Sequence, residues 1–445
     1  MASQFLADWA SGLQYSEIPG PVIKAAVKSF YNWYGCAIAG SDHEAVHITV
    51  KALSPFFGKE TSSLLGLGSK ADAQHAALIN GISSHVHDYD DTHLETIIHP
   101  TAPVASAAFA YANYKGEVSG KDLILAVVAG VEAECKLGLA VWPTHYDVGW
   151  HITSTVGAIG AAVAVGKLAK LGPEQMQNAI GVAATQVTGL REMFGTHTKA
   201  FHAGRAAQNG LLAALMAGEG FTSSPTSLDG KRGWVNVVSS RNRVDELFAT
   251  LGKEWETEKN SFKPFPCGIV IHPVIDACIH LGERIKEKLK SVDDIESVQL
   301  DVHRLVLELT GKKEPRDGLE GKFSVYHGAA IGLLLGKASP AEYEDSIVQD
   351  PRVVHLRDKV EATVKDIPTE SCRAHVKMVD GETFEMEIEN TIGSIRNPMT
   401  DDQLTAKFLD QASKVVGEEN ATRASNLLWT LDVISEIPDS FEGAT

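Results

Sequence analysis

The sequence predicts a mainly α fold, a large all-helical domain with a smaller α+β lid domain, and three observations carry this reading. As far as Ser261, apolar residues recur mostly at helical spacing, and segments such as TSTVGAIGAAVAVGKLAKLG are apolar nearly all round, as helices buried in a large assembly are. Beyond Ser261 come an amphipathic helix, an alternating β-branched run and two strand-like segments flanking Asp380-Gly381, a hairpin signal. The segments DDQLTAKFLDQASKVVG and ATRASNLLWTLDVI then return to helix. A chain of 445 residues exceeds one ordinary core, so the expected layout is a discontinuous helical domain, 1–265 with 398–445, and a lid of 266–397.

Taken in order, Pro19-Gly20-Pro21 opens a helix with Val22, Ala26, Phe30, Trp33 and Ala37 on its apolar face, stopping near Gly40. A second helix is predicted from His43 to Ser54, a short β-like stretch from Thr61 to Leu67, and a helix from Ala71 to Ser84. VASAAFAYANY after Pro103 is predicted helical, as is LILAVVAGVEAECKLGLAV, capped by Ser119 to Asp122. PEQMQNAIGVAATQV and AFHAGRAAQNGLLAALMAGEG follow, and the Ala and Gly serve close helix packing. In the lid, HPVIDACIHLGERIKEKLK, YHGAAIGLLLGKA and PAEYEDSIV read as helices, while IESVQLDVHRLVLEL reads as a strand.

Composition narrows the function. A net charge of −17 without a basic stripe disfavours nucleic acid and anionic membranes as partners, although a few cations in a pocket suffice for a small anion. No apolar run is long enough to span a bilayer, and the N-terminal MASQFLADWASGLQ lacks a secretory pattern, so a cytoplasmic location is expected, with a mitochondrial one left open. Five scattered cysteines without a CxxC pair argue for free thiols rather than disulfides or a thiolate zinc site. The sequon at Asn420 reads as a chance match.

Chemistry concentrates between Gly81 and Ala105, GISSHVHDYDDTHLETIIHPTAPVA, which carries four histidines, three aspartates and a glutamate. Three readings stand: an acid–base pocket, a metal cluster of His85, His87, Asp88, Asp90, Asp91 and His93, or aspartates capping the helix after Pro103. His151 precedes Thr153, a predicted N-cap, where free N–H groups and the helix dipole would favour an anion; a structural histidine is the alternative. Thr196, Thr198, Lys199, His202 and Arg205 crowd the start of a buried Ala-rich helix, which suits a carboxylate- or phosphate-binding cleft but lacks a Walker pattern. Lys263-Pro264-Phe265-Pro266-Cys267-Gly268 is either a rigid turn holding Lys263 or a linker, and Tyr326 either a site phenol or a packed aromatic.

HDYDDTH…HP, the histidine before the Gly/Ala helix, the GTHTKAFHAGRAA segment and FKPFPCG…H, in this order, resemble the MmgE/PrpD family of 2-methylcitrate dehydratases, cis-aconitate decarboxylases and iminodisuccinate epimerases. The resemblance spans nearly the whole chain. It implies a homodimer, no obligatory cofactor, no metal, and a pocket lined by Asp88, Thr92, His99, His151, Lys199, Lys263 and Tyr326. In this reading His99 and His151 carry protons, Lys199 and Lys263 clamp substrate carboxylates, Asp88 orients or polarises a histidine, Thr92 holds a carboxylate, and Tyr326 closes the site or donates a proton. Arg205 and His272 are further candidates for substrate binding. His85, Asp90 and His93 are expected to support the turn. The decarboxylases carry a histidine where this chain has Gly268, so this position offers no proton donor, which speaks against cis-aconitate decarboxylation unless His272, one turn on, partly substitutes.

The function expected is a cofactor-free lyase that dehydrates or decarboxylates a small di- or tricarboxylic acid. The alternatives are an epimerase of a dicarboxylic acid such as iminodisuccinate, towards which the chain's shorter length leans, and a non-catalytic member of the fold.

Overall fold

A computed structural model describes residues 1–444. The first helices are α1 (Ala2–Gly12), which the sequence reading did not anticipate, α2 (Gly20–Gly40) and α3 (Glu44–Leu53). Ser62–Leu64 (β1) and Ser69–Ala71 (β2) form an antiparallel hairpin where only one β-like stretch was expected. Helix α4 (Ala73–Val86) starts at Asp72, whose carboxylate accepts from the backbone N–H groups of Gln74 and His75. After it, β3 (Thr92–His93) pairs with β4 (Asn260–Ser261) and ties the His/Asp-rich stretch to the loop that leads to Lys263.

Helix α5 (Thr101–Lys115) begins two residues before Pro103, which its first turn tolerates because no hydrogen bond is lost there. Helix α6 (Gly120–Val141) has the predicted Ser119/Asp122 capping box. A short α7 (Thr144–Val148) leads to α8 (Ile152–Leu168), α9 (Pro173–Ala184) and α10 (His197–Gly218). The predicted cap of α8 is displaced: His151 takes the N-cap position, and the Thr153 hydroxyl accepts from the His99 backbone N–H at 3.1 Å.

Helices α4, α5, α8 and α10 pack on one another, and small residues set how closely. Gly81 of α4 meets Gly204 of α10: a Cβ at Gly204 would lie 2.2 Å from the Leu78 carbonyl oxygen, and one at Gly81 would lie 2.5 Å from the Gly204 Cα. This crossing sets the C-terminal end of α4, with His85, beside the N-terminal turn of α10, with Lys199.

Past α11 (Trp234–Val238) and α12 (Val244–Phe248), a second core forms around α13 (His272–Glu287) and α16 (Val325–Leu335), packed against a four-stranded sheet. The sheet order is β6-β5-β7-β8: Val360–Val364 runs parallel to Ile295–Val302, which pairs antiparallel with Cys372–Met378, itself paired with Thr383–Ile388 around Gly381. Only the first half of the predicted strand 295–309 is extended. His303 caps a helix, α14 (Arg304–Thr310), by accepting from the Leu305 N–H, and Val306 and Thr310, four apart, both point inward. The segment PAEYEDSIV splits into a 3-10 turn, Pro340–Tyr343, and α17 (Asp345–Val348), each too short for the single helix expected; between Gly311 and Val360, α15 (Gly318–Gly321) and α18 (Pro351–Arg357) complete this unit.

Helices α19 (Asp401–Val416) and α20 (Glu418–Trp429) rejoin the first core through Phe408 and Leu428. Lys407 of α19 is buried and donates to Asn32 Oδ1 at 2.7 Å, the Tyr89 carbonyl at 2.7 Å and the Lys263 carbonyl at 2.8 Å. The C-terminal helices thereby brace both segments that carry the site. Among the described residues no helix is long and apolar enough to cross a membrane.

Replacing Gly204 by Val tests the crossing. The variant is expected to lose about 1–3 kcal/mol of stability by overpacking, read as a lower urea midpoint by circular dichroism; an unchanged midpoint would show that α4 and α10 do not depend on their close approach.

Candidate active site

Asp88 lies just past the end of α4 with φ +53°, a left-handed conformation that costs energy for a residue other than glycine and that clusters at functional sites. Its carboxylate is buried and accepts from two ammonium groups, Lys199 Nζ at 2.7 Å and Lys263 Nζ at 2.9 Å, both on Oδ1. Burial by itself would raise the Asp88 carboxyl, but the two lysines outweigh it and hold the group well below the usual carboxylate range. Lys263 also donates to the carbonyls of Asp88 and Cys267, so the Pro-Phe-Pro segment is a rigid turn wrapped on its own lysine. Lys199 lies 5.5 and 5.3 Å from the ring centres of Phe194 and Phe323, and burial lowers its pKa against the pull of Asp88.

Histidines complete the wall. His99 places Nε2 3.7 Å from Asp88 Oδ1 and Nδ1 3.2 Å from Asp90 Oδ1, the second contact without hydrogen-bond alignment. Asp90 Oδ2 is 2.8 Å from His85 Nδ1, and the His85 ring centre is 4.6 Å from that of His99. His151 and His202 face each other Nδ1 to Nδ1 at 3.0 Å, so one carries the proton and the other accepts it. Burial pushes His99 and His202 down to about 4 and His151 well below its ordinary value. The imidazoles are therefore neutral near pH 7.

These groups border a narrow, partly open cavity at the junction of the two cores. Asp88, His99, His151, Lys199 and Lys263 line it from the helical side, with Ile97, Tyr146 and Phe194. Gly268, Ile269, Val270, Leu309, Thr310 and Phe323 line it from the lid side.

Four of the site expectations need correction, because the side chains concerned do not line this cavity. Tyr326 packs into the lid core, with the Lys313 ammonium over its ring. Arg205 lies six residues beyond Lys199 on the same helix, which turns it to another face, and it donates to Gln208. Thr92 is held in the ladder with Ser261, its hydroxyl buried without a partner. His272 opens α13 inside the lid, packed edge-on to Phe265, so it offers the cavity nothing in place of a side chain at Gly268.

The capping reading holds for Asp91, which accepts from the backbone N–H and hydroxyl of Thr101. His93 bonds to Thr96 and Glu256, supporting the turn. His85 and Asp90 do more than support it, since they stand directly behind His99. His85, Asp88, Asp90 and His99 are close enough, within 4.8 Å, to contact one cation, but both lysines already occupy Asp88 and their charge opposes a metal ion there. Sequence reasoning missed Phe194, Phe323, Leu309 and Thr310. The phenylalanines stand beside quoted motif residues, whereas nothing in the sequence marks Leu309 or Thr310.

Comparison with known proteins identifies the scaffold. The MmgE/PrpD N-terminal domain model matches residues 4–247, and the MmgE/PrpD C-terminal domain model matches residues 265–432. The chain belongs to the MmgE/PrpD family. A cis-aconitate decarboxylase of Aspergillus terreus is 27% identical over 98% of this chain and 94% of its own length. The human cis-aconitate decarboxylase is 24% identical over 96% of this chain and 90% of its own. A 2-methylcitrate dehydratase of Salmonella typhimurium is 27% identical over 54% of this chain and 53% of its own.

His272 provides a test of what lies outside the site. Its pKa is pushed down to about 3 by burial, against 6.5 for an exposed histidine. Between those values only the unfolded chain takes up the proton, so this group removes stability as pH falls below 6.5 and has no effect above it. His272→Leu is expected to keep turnover and to lose less stability than the parent between pH 7 and pH 5 in urea titrations. Abolished turnover in a folded variant would return His272 to the site.

Proposed function

We propose that this protein is a lyase acting on a small di- or tricarboxylic acid, breaking a C–O or C–C bond next to a carboxylate without a bound cofactor. The observation that carries this reading is one cavity lined by two buried ammoniums and two neutral imidazoles. It is supported by kinship with enzymes named cis-aconitate decarboxylase and 2-methylcitrate dehydratase.

Lys199, aligned by Asp88, binds a substrate carboxylate, and Lys263 adds its charge from behind Asp88. As the bond breaks, negative charge spreads onto the carboxyl oxygens beside the reacting carbon, and the same ammoniums hold it. His99 and His151 move the proton. Burial lowers the proton affinity of both, and the carboxylates of an entering substrate raise it towards the working range. Asp90 orients His85 and places its charge beside His99, and His202 fixes the tautomer of His151.

A homodimer is part of the proposal, supported by exposed apolar side chains at Val148, Phe221 and Val237. Sedimentation at a single monomer mass would remove it. The five free, buried cysteines support a location in a reducing compartment of the cell.

His151→Ala and His99→Ala are each expected to lower kcat by about 10²–10⁴-fold, and Lys263→Met to raise KM, with citrate, 2-methylcitrate and cis-aconitate as substrates followed by proton NMR in deuterium oxide. Full activity in both histidine variants would sink the acid–base assignment. Deuterium uptake by iminodisuccinate without net product would replace the lyase by an epimerase.

A further inference from the structure

The two walls of the cavity differ in kind. Every charged or ring-nitrogen group that lines it comes from the helical side. The lid contributes Ile269, Val270, Leu309 and Phe323, together with Gly268 and Thr310. The Thr310 hydroxyl is already spent on the Val306 carbonyl of its own helix. A Cβ at Gly268 would lie 2.7 Å from Thr310 Cγ2, so it is the methyl of Thr310, not its oxygen, that closes on Gly268. Lys322 of the lid does not line this cavity: its ammonium donates to the His87 carbonyl at 2.8 Å, and it borders a smaller adjoining pocket with Asp88 and Lys199. The lid residues that line this cavity therefore bring no cation and no free side-chain donor.

Charge within the cavity points the same way. Two ammoniums share one carboxylate on the helical wall, and the histidines beside them are neutral. A substrate carboxylate can meet Lys199, whose ammonium donates to Asp88 alone, while Lys263, its three N–H groups given to Asp88 and Cys267, adds positive charge from behind. A third carboxylate, directed at the lid, would be stripped of water against Leu309, Ile269 and Phe323 with no side chain to replace it. An alkyl group in that place gains from burial instead.

From this asymmetry we infer that the preferred substrate is a dicarboxylic acid with an alkyl branch, its carboxylates towards Lys199 and the positive helical wall and its branch against the lid, with Gly268, Leu309 and Thr310 as the residues that select it. The inference rests on the carboxylate chemistry proposed above and narrows its substrate class.

The test compares unreactive ligands by calorimetry on the purified full chain. 2-Isobutylsuccinate and tricarballylate differ only in whether the branch ends in two methyl groups or in a carboxylate. The isobutyl compound is expected to bind at least tenfold tighter, and affinity should rise about fourfold per methylene through 2-methyl-, 2-ethyl- and 2-propylsuccinate. Thr310→Lys, which puts a cation on the lid wall, is expected to shift the preference at least tenfold towards tricarballylate, with Thr310→Ser as the control that leaves it in place. Equal or tighter binding of tricarballylate by the parent protein would overturn the inference while leaving the lyase reading intact; the third carboxylate would then be held by backbone N–H groups at the turn Ile269–Ile271. If neither these ligands nor succinate binds, the carboxylate reading itself falls, and the substrate class with it. Should Thr310→Lys fail to fold, the two ligands on the parent protein decide the matter alone.

Discussion

One buried carboxylate between two buried ammoniums is the interaction on which the rest of this structure depends. Asp88 receives Lys199 from the start of α10 and Lys263 from the Pro-Phe-Pro turn, and removing one partner of such an assembly leaves an uncompensated charge at a cost of about 3–5 kcal/mol. The surrounding architecture maintains the triad. The Gly81–Gly204 approach sets α4 against α10, the ladder between Thr92 and Ser261 aligns the two loops, and Lys407 fastens both of them to the C-terminal helices. The left-handed backbone at Asp88 is tolerated because all of these contacts fix it together.

Burial then shapes the chemistry in a second way. It holds His99, His151 and His202 neutral, against the usual tendency of a histidine near carboxylates to charge. The lid contributes shape, dryness and an apolar surface, which strengthen every charge interaction on the opposite wall.

Local patterns in the sequence carried much of this. Ser119 and Asp122 announced the start of α6, the all-round apolar runs of α5 and α8 announced burial, and Asp380-Gly381 announced the hairpin, because each depends on neighbours a few residues away. Where the outcome depended on distant partners, local reading went astray. Thr153 looked like a cap until His99 claimed its hydroxyl, and 295–309 looked like one strand until His303 began a helix inside it. Tyr326 and Arg205 stood beside the right residues in sequence but on other faces of their helices.

By itself the sequence determined the helical class, the late α+β segment, the family and the residue types of the site, since these reside in periodicity and in short motifs. Only the tertiary structure decided that Asp88, Lys199 and Lys263 form one triad, that His85 and Asp90 stand behind His99, and that the wall facing them is apolar. The physical reason is that direction and burial are set by packing between segments more than a hundred residues apart, as the separations of 111 and 175 residues across the two lysine contacts show.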